Sequence, residues 1–204
     1  MLDTHDGIGV IDVGADAYGH AGLLPPAEIN ELVETIHQRS NGQSREATGA
    51  AASNLDLYQV NCTFYDALGR RDTDYLIARA LQFFAPGIPQ VYYAGLLAGT
   101  NDMELLARTK VGRDINRHYY DPGEVEAALA RPVVRGLLEL IRFRNSHPAF
   151  AGQLDAQSAS DSHLSLTWKH DQHWARLDAD LRQPAATVKY SSAEGEKQFV
   201  VGPR

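Results

Sequence analysis

The stretch DTDYLIARALQFFAPGIPQVYYAG (72–95) decides how the chain is built. Its first part, through Phe84, is apolar almost all round, and Pro86 and Gly87 stop it; such a helix is buried on several sides. IPQVYYAG (88–95) is then a short run rich in β-formers. After a tight Pro-Gly turn it predicts a buried strand of a parallel sheet, and so an α/β unit. One such strand cannot make a parallel sheet alone, because its neighbours and both covered faces have to come from elsewhere.

Outward from this stretch the pattern changes twice. On the N-terminal side, Pro26 opens a helix with Ile29, Leu32, Val33 and Ile36 on one face, ended by Asn41-Gly42. SREATGAAASNLDLYQVNCTFYDALG (44–69) has no sustained period and predicts a long, partly ordered loop, a length at which loops usually carry function. On the C-terminal side, NDMELLARTK (101–110) predicts a short helix capped by Asn101. ALARPVVRGLLELIRFRN (128–145) predicts an amphipathic one, with Val134, Leu137, Leu138 and Ile141 on its stripe. Beyond Phe150 the period becomes two. Leu164, Leu166 and Trp168 share one strand face, as do Ala175, Leu177, Ala179 and Leu181, and a hairpin turns at Glu194-Gly195, so a small antiparallel β module closes the chain.

Composition narrows the function. With 204 residues, 44% hydrophobic and 22% charged, the chain has an ordinary globular make-up and enough length for one or two domains. The net charge of −7, with scattered Lys and Arg, argues against nucleic acid as a partner. The single cysteine, Cys62, rules out an internal disulfide and any CxxC site. No apolar run approaches the ~20 residues of a membrane span, and a cytoplasmic location is the expectation. HExxH, Walker, GxSxG and GxGxxG motifs are missing, which removes zinc-protease, nucleotide-binding and serine-hydrolase readings. His170 and His173 in HDQH are expected to form a surface turn.

Three stretches remain that can carry chemistry. In LDTHDGIGVIDVG (2–14), His5 and Asp6 can face one site only where the backbone turns, which Gly7 and Gly9 permit. An ionised Asp can stabilise a cationic sugar-like transition state and a neighbouring His can bind hydroxyls; an Asx-turn with a surface His is the competing reading. NLDLYQVN (54–61) gathers Asn54, Asp56, Tyr58 and Gln59 within a loop, where they can converge on a ligand or be solvated turn residues. VGRDINRHYY (111–120) combines Arg113, Asn116, Arg117 and His118 with two tyrosines, a set suited to a polar ligand or to an exposed salt-bridged loop.

These stretches, with ATGAAASNLDLYQVN (47–61), FFAPGIPQVYYAGLLAGTNDMELL (83–106) and GRDINRHYY (112–120), closely resemble the sucrose phosphorylases, within the α-amylase-like superfamily of retaining glycoside-active enzymes. The likeness runs from Leu2 to about Phe150. It implies an α/β fold, the C-terminal part of a (β/α)8 TIM barrel with an inserted subdomain, followed by a small antiparallel β domain. Residues 1–7 would end barrel strand 7, 8–69 would form the inserted substrate-loop subdomain, 70–149 the last barrel helix-strand-helix, and 150–204 the β domain.

The resemblance also assigns roles. Asp6 matches the family's transition-state-stabilising aspartate, and His5 its sugar-hydroxyl ligand. Arg113 matches an arginine on the far hydroxyl of the transferred glucosyl group, and Asp56, Tyr58 and Gln59 a loop that handles fructose or phosphate. The implied reaction converts sucrose and inorganic phosphate to α-glucose 1-phosphate and fructose with retention, through a β-glucosyl-enzyme intermediate. No metal or organic cofactor is implied, and a homodimer of the full-length protein is. Residues matching the nucleophile and the acid/base are not in this sequence; Asp102, Glu104, Asp72 and Asp74 sit in helix-start contexts and do not replace them. The chain alone is therefore expected to be inactive. Tyr58 and its neutral surroundings favour unphosphorylated sucrose over sucrose 6-phosphate, glucosylglycerol or glucosylglycerate. The reading from another class is a non-catalytic remnant or sugar-binding module.

Overall fold

The structure, a computed structural model, describes residues 2–10, 13–14, 20–48 and 59–204. The chain divides into two compact units, Met1–Arg71 with Val91–Ala128, and Asp72–Gln90 with Leu129–Arg204.

In the first unit, helix α1 (Pro26–Arg39) begins on Pro26, whose missing N–H is one the first turn leaves unused anyway. It buries Ile29, Ile36 and His37 and ends where Asn41 and Gly42 take φ of 54° and 81°. The segment expected as a long loop is more regular than its composition suggests. It holds helix α2 (Gln43–Thr48), strand β2 (Gln59–Val60) and helix α3 (Phe64–Ala67). Polar contacts, which leave no hydrophobic period, order its start: the Ser44 hydroxyl meets His37 Nδ1 and Ser40 Oγ, both at 2.7 Å and buried. Strand β1 (Ile8–Gly9) pairs antiparallel with β2, Ile8 opposite Val60 and Gly9 opposite Gln59. Helix α5 (Tyr93–Leu96) is followed by α6 (Met103–Thr109), a 3-10 turn at Gly112–Asn116, and α7 (Pro122–Ala130). Ala47, Leu106 and Ile115 join α2, α6 and the 3-10 turn in one core.

The cap of α6 is Asp102, whose carboxylate accepts from the Leu105 N–H at 2.7 Å. The expected cap, Asn101, has another partner: its side-chain oxygen accepts from the Thr63 N–H at 2.9 Å.

In the second unit, α4 (Asp72–Phe84) buries Tyr75, Leu76, Ile77, Ala80, Phe83 and Phe84 and packs on α8 (Pro132–Ser146). Pro132 separates α8 from α7, so the apolar stripe starts there and centres on Val133, Val134, Leu137 and Leu140, with Leu138 and Ile141 partly buried. Strands β3 (Gln153–Ser160), β4 (His163–His170), β5 (His173–Asp180), β6 (Ala185–Ser192) and β7 (Gly195–Val200) form a five-stranded antiparallel meander in chain order. Its inner face carries Leu166, Trp168, Ala175, Leu177, Ala179 and Val188, and Trp168 Nε1 donates to the Phe84 carbonyl at 2.8 Å, fastening sheet to helix. Leu181 lies past the end of β5 and is exposed. The last hairpin turns through Ala193-Glu194, with Ser192 opposite Gly195. His170 and His173 face each other across a two-residue turn, both exposed.

Residues 88–92 differ from expectation. They form no ladder; Ile88 is 92% exposed and the chain enters α5 at Tyr93. A run of β-formers favours extended backbone, but a strand exists only through a partner's N–H and C=O groups, and among the described residues no strand lies beside it.

Leu137 is fully buried between α8 and its neighbours. Leu137→Ala is expected to cost about 2–5 kcal/mol, read as a lower urea midpoint at unchanged slope.

Candidate active site

Thr4–Gly7 is a tight turn held by its own polar groups. The Gly7 N–H donates to the Thr4 carbonyl at 3.1 Å, and Thr4 Oγ1 donates to the Gly7 carbonyl and accepts from the Asp6 N–H, each at 3.2 Å. Gly7 has φ of 89°, and a Cβ there would sit 2.3 Å from the Val60 carbonyl oxygen. Both facts require glycine. Gly9, by contrast, belongs to β1 and takes no part in the turn. His5 and Asp6 therefore occupy the tip.

The tip gathers most of the residues expected at the site. His5 Nε2 lies 3.2 Å from Asp6 Oδ2, and Arg113 Nη1 lies 3.0 Å from Asp6 Oδ1. Gln59, at the start of β2, donates from Nε2 to the Asp6 carbonyl at 2.8 Å. Asp56 and Tyr58 lie outside the described residues.

Two further side chains hold the turn. Asn116 Nδ2 donates to the Thr4 carbonyl at 2.9 Å; Arg117 donates from Nε to the His5 carbonyl at 2.8 Å and from Nη2 to Asp6 Oδ1 at 3.4 Å. The sequence placed both in a polar cluster with Arg113, which is a signal of interest but not of partner. Asp114 stands 3.6 Å from Arg117 Nη1 and steadies it. The Tyr92 N–H donates to Asp3 Oδ2 at 3.3 Å, and burial, then the adjacent Tyr93 hydroxyl, pushes the Tyr92 phenol well up, so it stays neutral.

Behind the arginines, His118 Nδ1 lies 2.6 Å from Asp102 Oδ2, and Nε2 lies 3.1 Å from Glu124 Oε1. Partial burial opposes its charge, but the hydrogen bonds to Asp102 and then Glu124 outweigh it and raise the pKa above the ordinary histidine range. Burial likewise opposes the Asp102 anion, and the Leu105 N–H and His118 outweigh it and lower that pKa. Among the described residues no group of three His, Cys, Asp or Glu side chains is placed to hold a metal, and no helix is long and apolar enough to cross a membrane.

No family model matches the chain. It is 63% identical over 191 residues to the sucrose phosphorylase of Agrobacterium vitis, a match spanning 94% of this chain and 39% of that protein. The chain belongs to the sucrose phosphorylase family. A second member, from Bifidobacterium adolescentis, is 50% identical over 206 residues, covering 96% of this chain and 41% of its own length. The crystal structure of sucrose 6F-phosphate phosphorylase from Thermoanaerobacter thermosaccharolyticum superposes with a TM-score of 0.83 at 40% identity, over 98% of this chain and 40% of that one. The chain thus spans well under half the length of these family members and corresponds to their C-terminal portion.

Two outcomes follow from the site geometry. Gly7→Ala is expected to lose at least about 2 kcal/mol of stability, from the left-handed backbone and the Val60 contact, and denaturant titration measures it. The His118–Asp102 pair gives stability a plateau. Raised in the folded state, His118 contributes fully below the ordinary histidine pKa and loses that contribution as pH rises through its folded pKa. Lowered, Asp102 contributes above the ordinary carboxylate pKa and loses it as pH falls through its folded pKa. Melting temperatures recorded from pH 3 to 9 should fall at both ends, and Asp102→Asn should flatten both slopes.

Proposed function

We propose that the chain is the C-terminal part of a retaining glycoside phosphorylase that cleaves sucrose with inorganic phosphate to α-D-glucose 1-phosphate and fructose. The convergence of His5, Gln59 and Arg113 on Asp6 carries this reading, together with the identity to family members over nearly the whole chain.

The proposed roles follow from the chemistry. Asp6, ionised, faces the positive charge that develops as the glycosidic bond loosens. His5 supplies a donor to ring hydroxyls from a side chain 64% exposed. The planar fork of N–H donors on Arg113 suits a hydroxyl at the far end of the glucosyl ring. Gln59 fixes the Asp6 backbone, and Asp56 and Tyr58 complete the acceptor side, with sucrose preferred because a phosphorylated acceptor calls for a cation there. Retention takes a nucleophilic carboxylate and an acid/base carboxyl about 5 Å apart, and both come from a preceding part of the polypeptide, in the barrel whose seventh strand would end at residue 7. Residues 8–69 would be the inserted substrate-loop subdomain and 150–204 the C-terminal β domain. No cofactor enters the reaction, and the whole protein acts as a homodimer in the cytoplasm.

The purified 204-residue chain is expected to release no glucose 1-phosphate from sucrose and phosphate. Expressed with the upstream part of its reading frame, it should do so, more slowly with sucrose 6-phosphate or glucosylglycerol. In that protein Asp6→Asn should lower kcat about 10²–10³-fold with a smaller effect on KM; an unchanged kcat would remove Asp6 from its assigned role.

A further inference from the structure

His118 meets a carboxylate at each ring nitrogen: Asp102 Oδ2 at 2.6 Å on Nδ1 and Glu124 Oε1 at 3.1 Å on Nε2. Ionised carboxylates only accept hydrogen bonds, and a neutral imidazole donates only one. The two contacts are satisfied together only by the imidazolium. Both carboxylates are themselves fixed. Asp102 caps α6 through its other oxygen, to the Leu105 N–H at 2.7 Å. Glu124 and Asp121 cap the start of α7 reciprocally, Asp121 N–H to Glu124 Oε2 at 2.8 Å and Glu124 N–H to Asp121 Oδ1 at 2.9 Å. The His118 carbonyl accepts from Tyr93 Oη at 2.9 Å, and Tyr120 stands edge-on to the ring with centroids 4.5 Å apart. The charge of Arg108, on α6, also favours the Asp102 anion.

The residue before His118 is Arg117, and the preceding 3-10 turn carries Arg113 and Asn116. These three make the contacts that grip Thr4, His5 and Asp6. We propose that His118, as the imidazolium bridging Asp102 and Glu124, is a positioning residue that latches the Arg113–Arg117 segment so that it holds the Thr4–Asp6 turn. Loss of the proton breaks one of the two bridges, and the grip on the turn loosens with it. The consequence for glucosyl transfer rests on the function proposed above; the latch is a property of the chain without ligand.

The test is an NMR titration of the isotope-labelled 204-residue chain carrying His5→Gln, so that no imidazole within the turn reports directly. Both ring nitrogens of His118 should be protonated at pH 7, and the Thr4 and Asp6 amide signals and the Arg117 Nε–H should shift with the His118 midpoint. Asp102→Asn keeps a good helix cap while removing the charge. It should lower that midpoint and move the turn's response down with it. His118→Gln should abolish the turn's response. A singly protonated His118 at pH 7, or turn signals that stay flat through its titration, would overturn the proposal. Sugar binding is scored separately, by saturation transfer from the chain to glucose, so failure of the glucosyl reading leaves the latch readout intact.

Discussion

The buried carboxylate of Asp66 is the constraint from which the first unit is assembled. Only 1% exposed, it accepts from Thr63 Oγ1 at 3.0 Å and the Asn101 N–H at 2.7 Å on one oxygen, and from Arg70 Nε at 2.7 Å on the other. An anion taken out of water costs several kcal/mol unless its lone pairs are met, and these three donors come from chain positions up to 35 residues away. Satisfying Asp66 therefore fixes where Asn101 sits. Asn101 in turn donates to Gln43 at 3.2 Å and to the Cys62 sulfur at 3.6 Å, drawing α2 and the end of β2 to the same point. Burial in this nest, and then the Asp66 charge, push the Cys62 thiol up to about 12, so it serves as packing rather than as a nucleophile. The next residue, Asp102, starts α6 and faces His118. Hydrogen bonds, joined through the adjacent residues Asn101-Asp102 and Arg117-His118, thus run from a structural anion to the segment that holds Asp6.

The elements legible in the sequence are those whose cause is periodic. Helix α4 shows in an unbroken apolar run, α8 in a stripe repeating every three or four residues, and the meander in two-residue alternation ended by turn residues. In each case the burial that makes the element is written locally. The described residues at 44–48 and 59–69 were opaque because buried serine, histidine and asparagine contacts order them, and polar residues read as loop whether or not they find partners. The failure at Ile88–Tyr92 is of the opposite kind. Val91, Tyr92 and Tyr93 announce a preference for extended backbone, but a ladder is a property of two segments.

The candidate site divides the same way. The turn at Gly7 was legible because it is local, and His5, Asp6, Gln59 and Arg113, singled out because they fall within dense motifs, are brought together by the structure. Asn116 and Arg117 bond backbone carbonyls 112 positions away. A carbonyl belongs to every residue type, so no pattern at the accepting end marks it. The His118 bridge was invisible for a related reason: Asp102 reads fully as a helix-start residue, and a second role for the same carboxylate adds nothing to the pattern.

The two arginines at Asp6 are not equivalent, and the difference bears on the proposed chemistry. A carboxylate bracketed by two guanidiniums presents little negative field to an incoming cation, so one of them has to relinquish it when a glucosyl ring arrives. Arg117 is tethered to the His5 carbonyl and to Asp114 as well as to Asp6, and its contact with Asp6 is the longer, 3.4 Å against 3.0 Å. Its bond to the His5 carbonyl, at 2.8 Å, does not depend on what Asp6 faces. Arg113 is the shorter ion pair and the more exposed side chain, 35% against 27%, and an exposed ion pair is held only weakly in water. Both guanidiniums act on Oδ1, while Oδ2 is shared only with His5 among the contacts that define the tip. In the proposed reaction that oxygen would face the anomeric carbon, and its charge would strengthen as a guanidinium leaves Oδ1.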